Sequence, residues 1–272
     1  MKRQYDRFSL SLEASEDRFT KFPTPFQKEW ILGRAFREFA DDLEHLDAVS
    51  GQLVSGSERP PIGSSWEDSK AALDAEELVI QGQQVMQSWE RPLMQRMAAA
   101  VARPGGDVLE VGFGMGISAS FILEAGVRSY TVIECNDAVI ASFERWRERH
   151  PETEIRLVRG RWQDVAEQLG TYDGILFDTY PLSQEEYVRN EVNGRAYSHT
   201  GEFFPLAASK LRPGGAFTYF SCEVDTLSRG HQRLLLRHFD SFQVSVVGGL
   251  VPPVGCQYWW ASSMVLVTAT RA

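Results

Sequence analysis

Asp107-Val108-Leu109-Glu110-Val111-Gly112-Phe113-Gly114-Met115-Gly116 is the stretch that decides the fold. A short apolar strand, 108–111, runs straight into glycines at alternate positions. Downstream, a second apolar run from Tyr130 to Ile133 ends on Glu134. Another, Gly174 to Phe177, ends on Asp178 and opens into Thr179-Tyr180-Pro181. In an open α/β sheet each strand delivers its last polar residue to the carboxyl edge, where ligands bind. Glycines let the backbone approach a ligand closely, and an acid about one βα unit later can grip ribose hydroxyls. The pattern predicts a nucleoside-cofactor site.

Outward from that stretch, strands and helices alternate. Strand 108–111 precedes a helix near 116–125, strand 130–134 a helix near 137–149, and strand 155–158 a short helix near 162–169. Strand 174–178 leads to a helix near 200–211, and strand 216–220 to a helix over 227–239. Two apolar runs, 243–251 and 264–268, close the chain as a hairpin whose last strand is antiparallel. Such alternation makes an α/β fold, a mostly parallel sheet with helices on both faces. Upstream, the pattern predicts helices from Ser69 through Val79 and from Glu90 to about Ala102. Pro104-Gly105-Gly106 ends the second.

Residues 1–65 read as an N-terminal extension, and 66–272 as the main domain. Phe8 to Leu12 alternates like a short strand. After Pro25, Phe26, Trp30, Phe36, Phe39, Leu43 and Leu46 recur at helical steps, with the acidic face Asp41-Asp42-x-Glu44 turned to water. Gly51 to Ser65 is a Gly/Ser/Pro linker. The stripe can pack on its own domain, cover the active site or make a homodimer through the extension, and the linker, which lets it reach away, favours the homodimer.

Net charge is −9. That argues against a general nucleic-acid or membrane-surface binder, which needs a basic footprint. Cys135, Cys222 and Cys256 have no spacing suited to zinc or a disulfide framework, so no metal is expected and the thiols read as reduced. No apolar run approaches a membrane helix, and Met1-Lys2-Arg3-Gln4 leads into no signal-peptide core. The expectation is a cytoplasmic protein.

A nicotinamide site would prefer glycine at the third position of the GxGxxG spacing, where this chain has Ile117. Instead Glu110 precedes Gly112-x-Gly114-x-Gly116. Glu134 closes the second strand, Asp164 follows Gly160-Arg161-Trp162, and Asp178 closes the fourth. Together these resemble class I S-adenosylmethionine-dependent methyltransferases, whose Rossmann-like fold is a seven-stranded sheet ending in an antiparallel hairpin. Within that class, five segments resemble the guanidinoacetate N-methyltransferase family. They are Trp89-Glu90-x-Pro92-x-Met94, Val111 to Met115, Ile133-Glu134-Cys135-Asn136-Asp137, Ile175 to Ser183, and Val251-Pro252-Pro253. The resemblance runs from Trp66 to the C-terminus. Thr179 and Tyr180 stand where nucleic-acid amino methyltransferases carry prolines.

The resemblance implies S-adenosyl-L-methionine as cofactor and a small guanidino compound as substrate. It makes Glu90 and Asp178 the two carboxylates that hold the guanidino group; read alone, Glu90 is also a plain helix N-terminal acid. Glu134 should bind the ribose, Gly112 and Gly114 the methionine part, and Trp162 and Gln163 the adenine. Trp66, Met86 and Met94 match cofactor-contacting positions of the N-terminal lid, although such residues are often plain core. Glu110, Gly116, Cys135 and Asp178 complete the cofactor set.

The chain departs from the family after the fifth strand. Backbone amides of an Asn-Leu-Thr-Ser segment there receive the substrate carboxylate; here the segment is Ser221-Cys222-Glu223-Val224. A carboxylate at Glu223 would repel guanidinoacetate, whereas an α-ammonium group would suit it. The expectation is therefore L-arginine as acceptor, giving N-methyl-L-arginine, with Tyr180, Ser221, Cys222 and Glu223 lining the substrate. Guanidinoacetate and protein arginine side chains are the alternatives. Tyr258-Trp259-Trp260 either walls the pocket or caps the sheet, while His150, His199, His231 and His238 read as surface or helix-end residues.

Overall fold

The computed structural model describes residues 62–63, 65–192 and 198–272. The strand at 8–12, the helix after Pro25, its predicted dimer and most of the 51–65 linker lie outside the described residues.

Seven strands form the main sheet: β4 (Asp107–Val111), β5 (Ser129–Glu134), β6 (Glu154–Arg159), β7 (Tyr172–Phe177), β8 (Leu211–Tyr219), β9 (Ser241–Gly248) and β10 (Ser263–Thr270). Their order is β6-β5-β4-β7-β8-β10-β9. β10 runs antiparallel to both neighbours, and the other pairings are parallel. The chain reverses direction across the sheet between β4 and β7, so their carboxyl ends flank the topological switch point.

Helices cover both faces. α1 (Arg91–Val101), α2 (Ile117–Glu124) and α3 (Asp137–Arg147) pack on one; α4 (Trp162–Val165), α6 (Ser198–Lys210) and α7 (Arg229–His238) on the other, and α5 (Gln184–Tyr187) is a short helix beyond β7. The pleat explains the division: Val108 joins the first core and its neighbour Leu109 the second. Gly174 has no room for a side chain, since a Cβ would stand 2.0 Å from the Val101 carbonyl oxygen of α1.

One expectation is overturned. Residues 69–79 form no helix; β1 (Ala71–Leu73), β2 (Glu77–Ile80) and β3 (Gln83–Gln87) make a separate antiparallel sheet. Asp74 turns the chain by accepting from the N–H groups of Glu76 and Glu77 at 2.8 and 2.9 Å. Gln81 and Gly82 turn it again with φ of 52° and 75°, the left-handed pair that a two-residue hairpin needs. Burial of Leu78, Ile80 and Met86 against the first core overrides the helix propensity of the Ala/Glu/Leu run.

At the amino edge of the sheet, Arg212 Nη1 meets Asp107 at 2.6 Å and Asp173 at 2.8 Å, with Arg128 on Asp107 and Arg103 on Asp173. Arg128 above all holds Asp107 far below the ordinary carboxylate range. This cluster fixes the edge opposite the site.

Candidate active site

The glycine turn after β4 is shaped by what it touches. Gly112, Gly114 and Gly116 have φ of 91°, 54° and 71°, values that only glycine adopts without strain. A Cβ on Gly112 would sit 2.2 Å from the Asp178 carbonyl oxygen, and one on Gly114 2.7 Å from Met86 Sδ. Met115 N–H donates to that sulfur at 3.3 Å. Gly116 caps α2 in the left-handed region.

Glu134, at the carboxyl end of β5, is half-buried beside the turn. Its carboxylate accepts from the N–H groups of Phe113 (3.0 Å), Cys135 (2.7 Å) and Asn136 (2.9 Å). Burial raises this carboxyl, and the backbone donors pull it back. A carboxylate held at a glycine turn suits a ribose diol, and the open backbone of Gly112 to Gly116 suits an amino-acid tail. The residues present therefore fit the expected cofactor.

Glu110 lies one layer lower. It is fully buried and accepts from Ser118 and Tyr130, so it supports the turn from beneath in place of the expected cofactor contact. Gln163 is exposed, whereas Trp162 is half-buried and meets Phe177 and Phe203 edge-on. Cys135 is buried and its thiol is pushed up to about 12 by burial, so it is inert. Met94 is fully buried in the first core. Trp66 is stacked on Tyr180, centroids 5.6 Å apart, and Asn136 Nδ2 holds the Trp66 carbonyl at 2.8 Å. The Trp66 turn is thereby strapped to the start of α3.

The two predicted substrate carboxylates come together. Asp178 lies just past β7, its N–H donating to Val111 at 3.0 Å. Glu90 ends the turn before α1 and is 2% exposed. Its Oε1 accepts from Gln87 N–H at 2.8 Å and from Tyr258 Oη at 2.5 Å. Burial pushes Glu90 well above the usual range and the nearby Asp178 charge adds to it. Burial does the same to Asp178, with His199 pulling the other way. Two desolvated acids within reach of each other invite a cation.

Tyr258 is thus a site residue, and Trp259 is core. His199 and His231 stand in the first turns of α6 and α7, at helix ends as one of the two expectations had it, but they are buried, which corrects the surface alternative. His199 Nε2 lies 3.0 Å from Thr179 Oγ1. His231 bridges Tyr219 Oη at 2.5 Å and Glu223 Oε1 at 3.3 Å. Glu223 is accordingly turned inward, and it also receives the Ser228 N–H at 3.4 Å. Ser221 Oγ donates to the Val265 carbonyl at 2.7 Å, and Cys222 takes a left-handed φ of 55°.

This sheet order, with its glycine turn and acid at the next strand end, defines a class I S-adenosylmethionine-dependent methyltransferase; S-adenosyl-L-methionine is its methyl donor. Residues 56–245 match the family model described as guanidinoacetate N-methyltransferase, and the chain belongs to that family. It is 30% identical over 148 residues to protein arginine N-methyltransferase 2 of Eremothecium gossypii, covering 50% of this chain and 32% of that protein. With the Aspergillus oryzae protein of the same name it shares 33% over 132 residues, covering 46% and 31%. The chain spans about a third of the length of these relatives. A spermidine synthase in complex with the transition-state analogue AdoDATO superposes with a TM-score of 0.51 at 13% identity, covering 75% of this chain and 73% of that one, a likeness of fold alone.

Proposed function

We propose that this chain methylates a guanidino nitrogen, with L-arginine as the preferred small-molecule acceptor and N-methyl-L-arginine as product. The observation that carries this reading is the pairing of Glu90 and Asp178, both desolvated, at the carboxyl edge beside the glycine turn. A guanidinium is planar and donates bidentately to carboxylates. It is a poor nucleophile, because its nitrogen lone pairs are delocalised.

The cofactor supplies an electrophilic methyl on a sulfonium. Glu90, steadied by Tyr258 and the Gln87 N–H, holds the non-reacting nitrogens. Asp178 orients the reacting nitrogen and takes up the proton that it must lose, which then passes to water. Most of the rate enhancement is positioning and electrostatics. The names of the relatives support arginine as the chemical unit. A bound α-ammonium group would share Glu223 with His231.

Methylation of arginine within a protein is a second reading, favoured by those same names. Mass spectrometry of reactions with L-arginine, guanidinoacetate and an arginine-containing peptide separates the cases. A one-methyl gain on L-arginine supports the first reading. Gain only on the peptide, or only on guanidinoacetate, replaces the acceptor but keeps the chemistry. No gain on any of them rejects guanidino methylation.

A further inference from the structure

His199 stands in the first turn of α6, 6% exposed. Its Nε2 is 3.0 Å from the hydroxyl of Thr179, the residue after Asp178, and its ring leans on Phe177, the residue before, at 5.7 Å between centroids. Its Nδ1 lies 3.3 Å from Glu186 Oε1, itself buried on α5. Neither of those two atoms has a hydrogen-bond partner, and their contact lacks hydrogen-bond alignment. The other Glu186 oxygen accepts the Leu182 N–H at 3.0 Å. A buried acid facing a buried imidazole is costly unless the two compensate each other. Glu186 also serves the amino end of α5, where Ser183 accepts its N–H at 3.1 Å and its Oε2 accepts the Leu182 N–H, while Oε1 faces His199.

We propose that His199 is a positioning residue for the methyl transfer: set between Glu186 and Thr179, and against Phe177, it fixes the turn that carries Asp178. This rests on the reading of Asp178 as the carboxylate that meets the guanidino group. Burial raises the Asp178 carboxyl, and His199 pulls it back down. Among the described residues, Glu186 also feels Arg189, which pairs with Glu202 of α6 at 3.2 Å. His199 compensates Glu186, whose carboxyl burial alone would raise but whose contacts with His199 and Leu182 hold low.

The test compares His199→Gln and Thr179→Val with the unaltered chain. Carbon NMR of the Asp178 carboxyl in free protein follows its titration, and kcat/KM for the guanidino acceptor is measured against pH. For His199→Gln the Asp178 titration and the acid limb of kcat/KM both move upward by roughly one pH unit, with cofactor affinity unchanged. Thr179→Val keeps the titration near its original place and lowers kcat about tenfold, through loss of positioning. An Asp178 titration unmoved in a folded His199→Gln protein overturns the inference. If the unaltered chain turns over no guanidino compound, the acceptor reading fails on its own, and the titration still decides the role of His199.

Discussion

The phenol of Tyr258 donates to Glu90 Oε1 at 2.5 Å, joining residues 168 positions apart in the chain. The acid that opens α1 thus depends on the loop between β9 and β10 for a donor that no neighbour in sequence supplies. Gln84 makes a parallel tie, its Oε1 accepting the Gln257 N–H at 2.8 Å.

Tyr258→Phe removes that donor and leaves the ring. A hydrogen bond to an ionised group contributes about 1.5–3 kcal/mol. The expected result is a loss of kcat/KM for the guanidino acceptor of roughly ten- to a hundredfold. Cofactor Kd, measured by calorimetry, should not move. Equal losses in both would place Tyr258 in general folding and out of substrate binding.

Asp178→Asn keeps the shape and removes the charge. If Asp178 is both base and guanidinium ligand, as proposed, turnover should fall by at least about a thousandfold. Cofactor binding should persist, because the glycine turn and Glu134 are untouched. A matching collapse of cofactor affinity would reassign Asp178 to the cofactor.

Glu110 ties stability to pH. Burial pushes its carboxyl up to about 8, against ~4.3 in an unfolded chain. The folded state therefore prefers the protonated acid. Its contribution is fully present below ~4.3 and is lost as pH rises through about 8. Glu110→Gln should flatten this dependence, so that unfolding midpoints of variant and parent draw together or cross between pH 5 and pH 9. Parallel curves over that range would contradict the assignment.

Gly112→Ala and Gly105→Ala form a matched pair. Both glycines have positive φ, 91° and 71°, but only at 112 would a Cβ meet backbone, 2.2 Å from the Asp178 carbonyl oxygen; at 105 nothing lies within 4 Å. Gly105→Ala should cost about 1–2 kcal/mol, the backbone strain alone. Gly112→Ala should cost at least ~2 kcal/mol more and weaken cofactor binding. Similar urea midpoints for the two variants would show that the turn yields without effect.

The sheet was legible because its strands are short, apolar and closed by Gly, Glu or Asp, and a parallel sheet buried on both faces writes itself that way. Glu90 and Asp178 were legible through their flanking motifs. Three other features were not. The 69–87 sheet was hidden because Ala71, Ala72, Leu73 and the Glu76-Glu77 pair favour a helix locally, and only tertiary burial reverses it. Gln81-Gly82, with positive φ at both residues, is the local signal of the hairpin. Tyr258 could be placed only as a wall of the pocket or a cap on the sheet, and its tie to Glu90 was not legible, since no periodicity reports a partner 168 residues away. The helix-end place of His199 and His231 was legible as one of two alternatives but their burial was not, because polar neighbours in sequence do not reveal the aromatic rings packed on them.

The long tie between Tyr258 and Glu90 also bears on synthesis. During translation the acid at the start of α1 emerges well before the phenol that steadies it. Closing so long a loop carries an entropic cost that grows only slowly with length, but it cannot be met until the β9–β10 segment exists. A chain that ended before residue 258 would lose this donor for Glu90 together with β10, whose Met264 and Val265 are buried in the two cores.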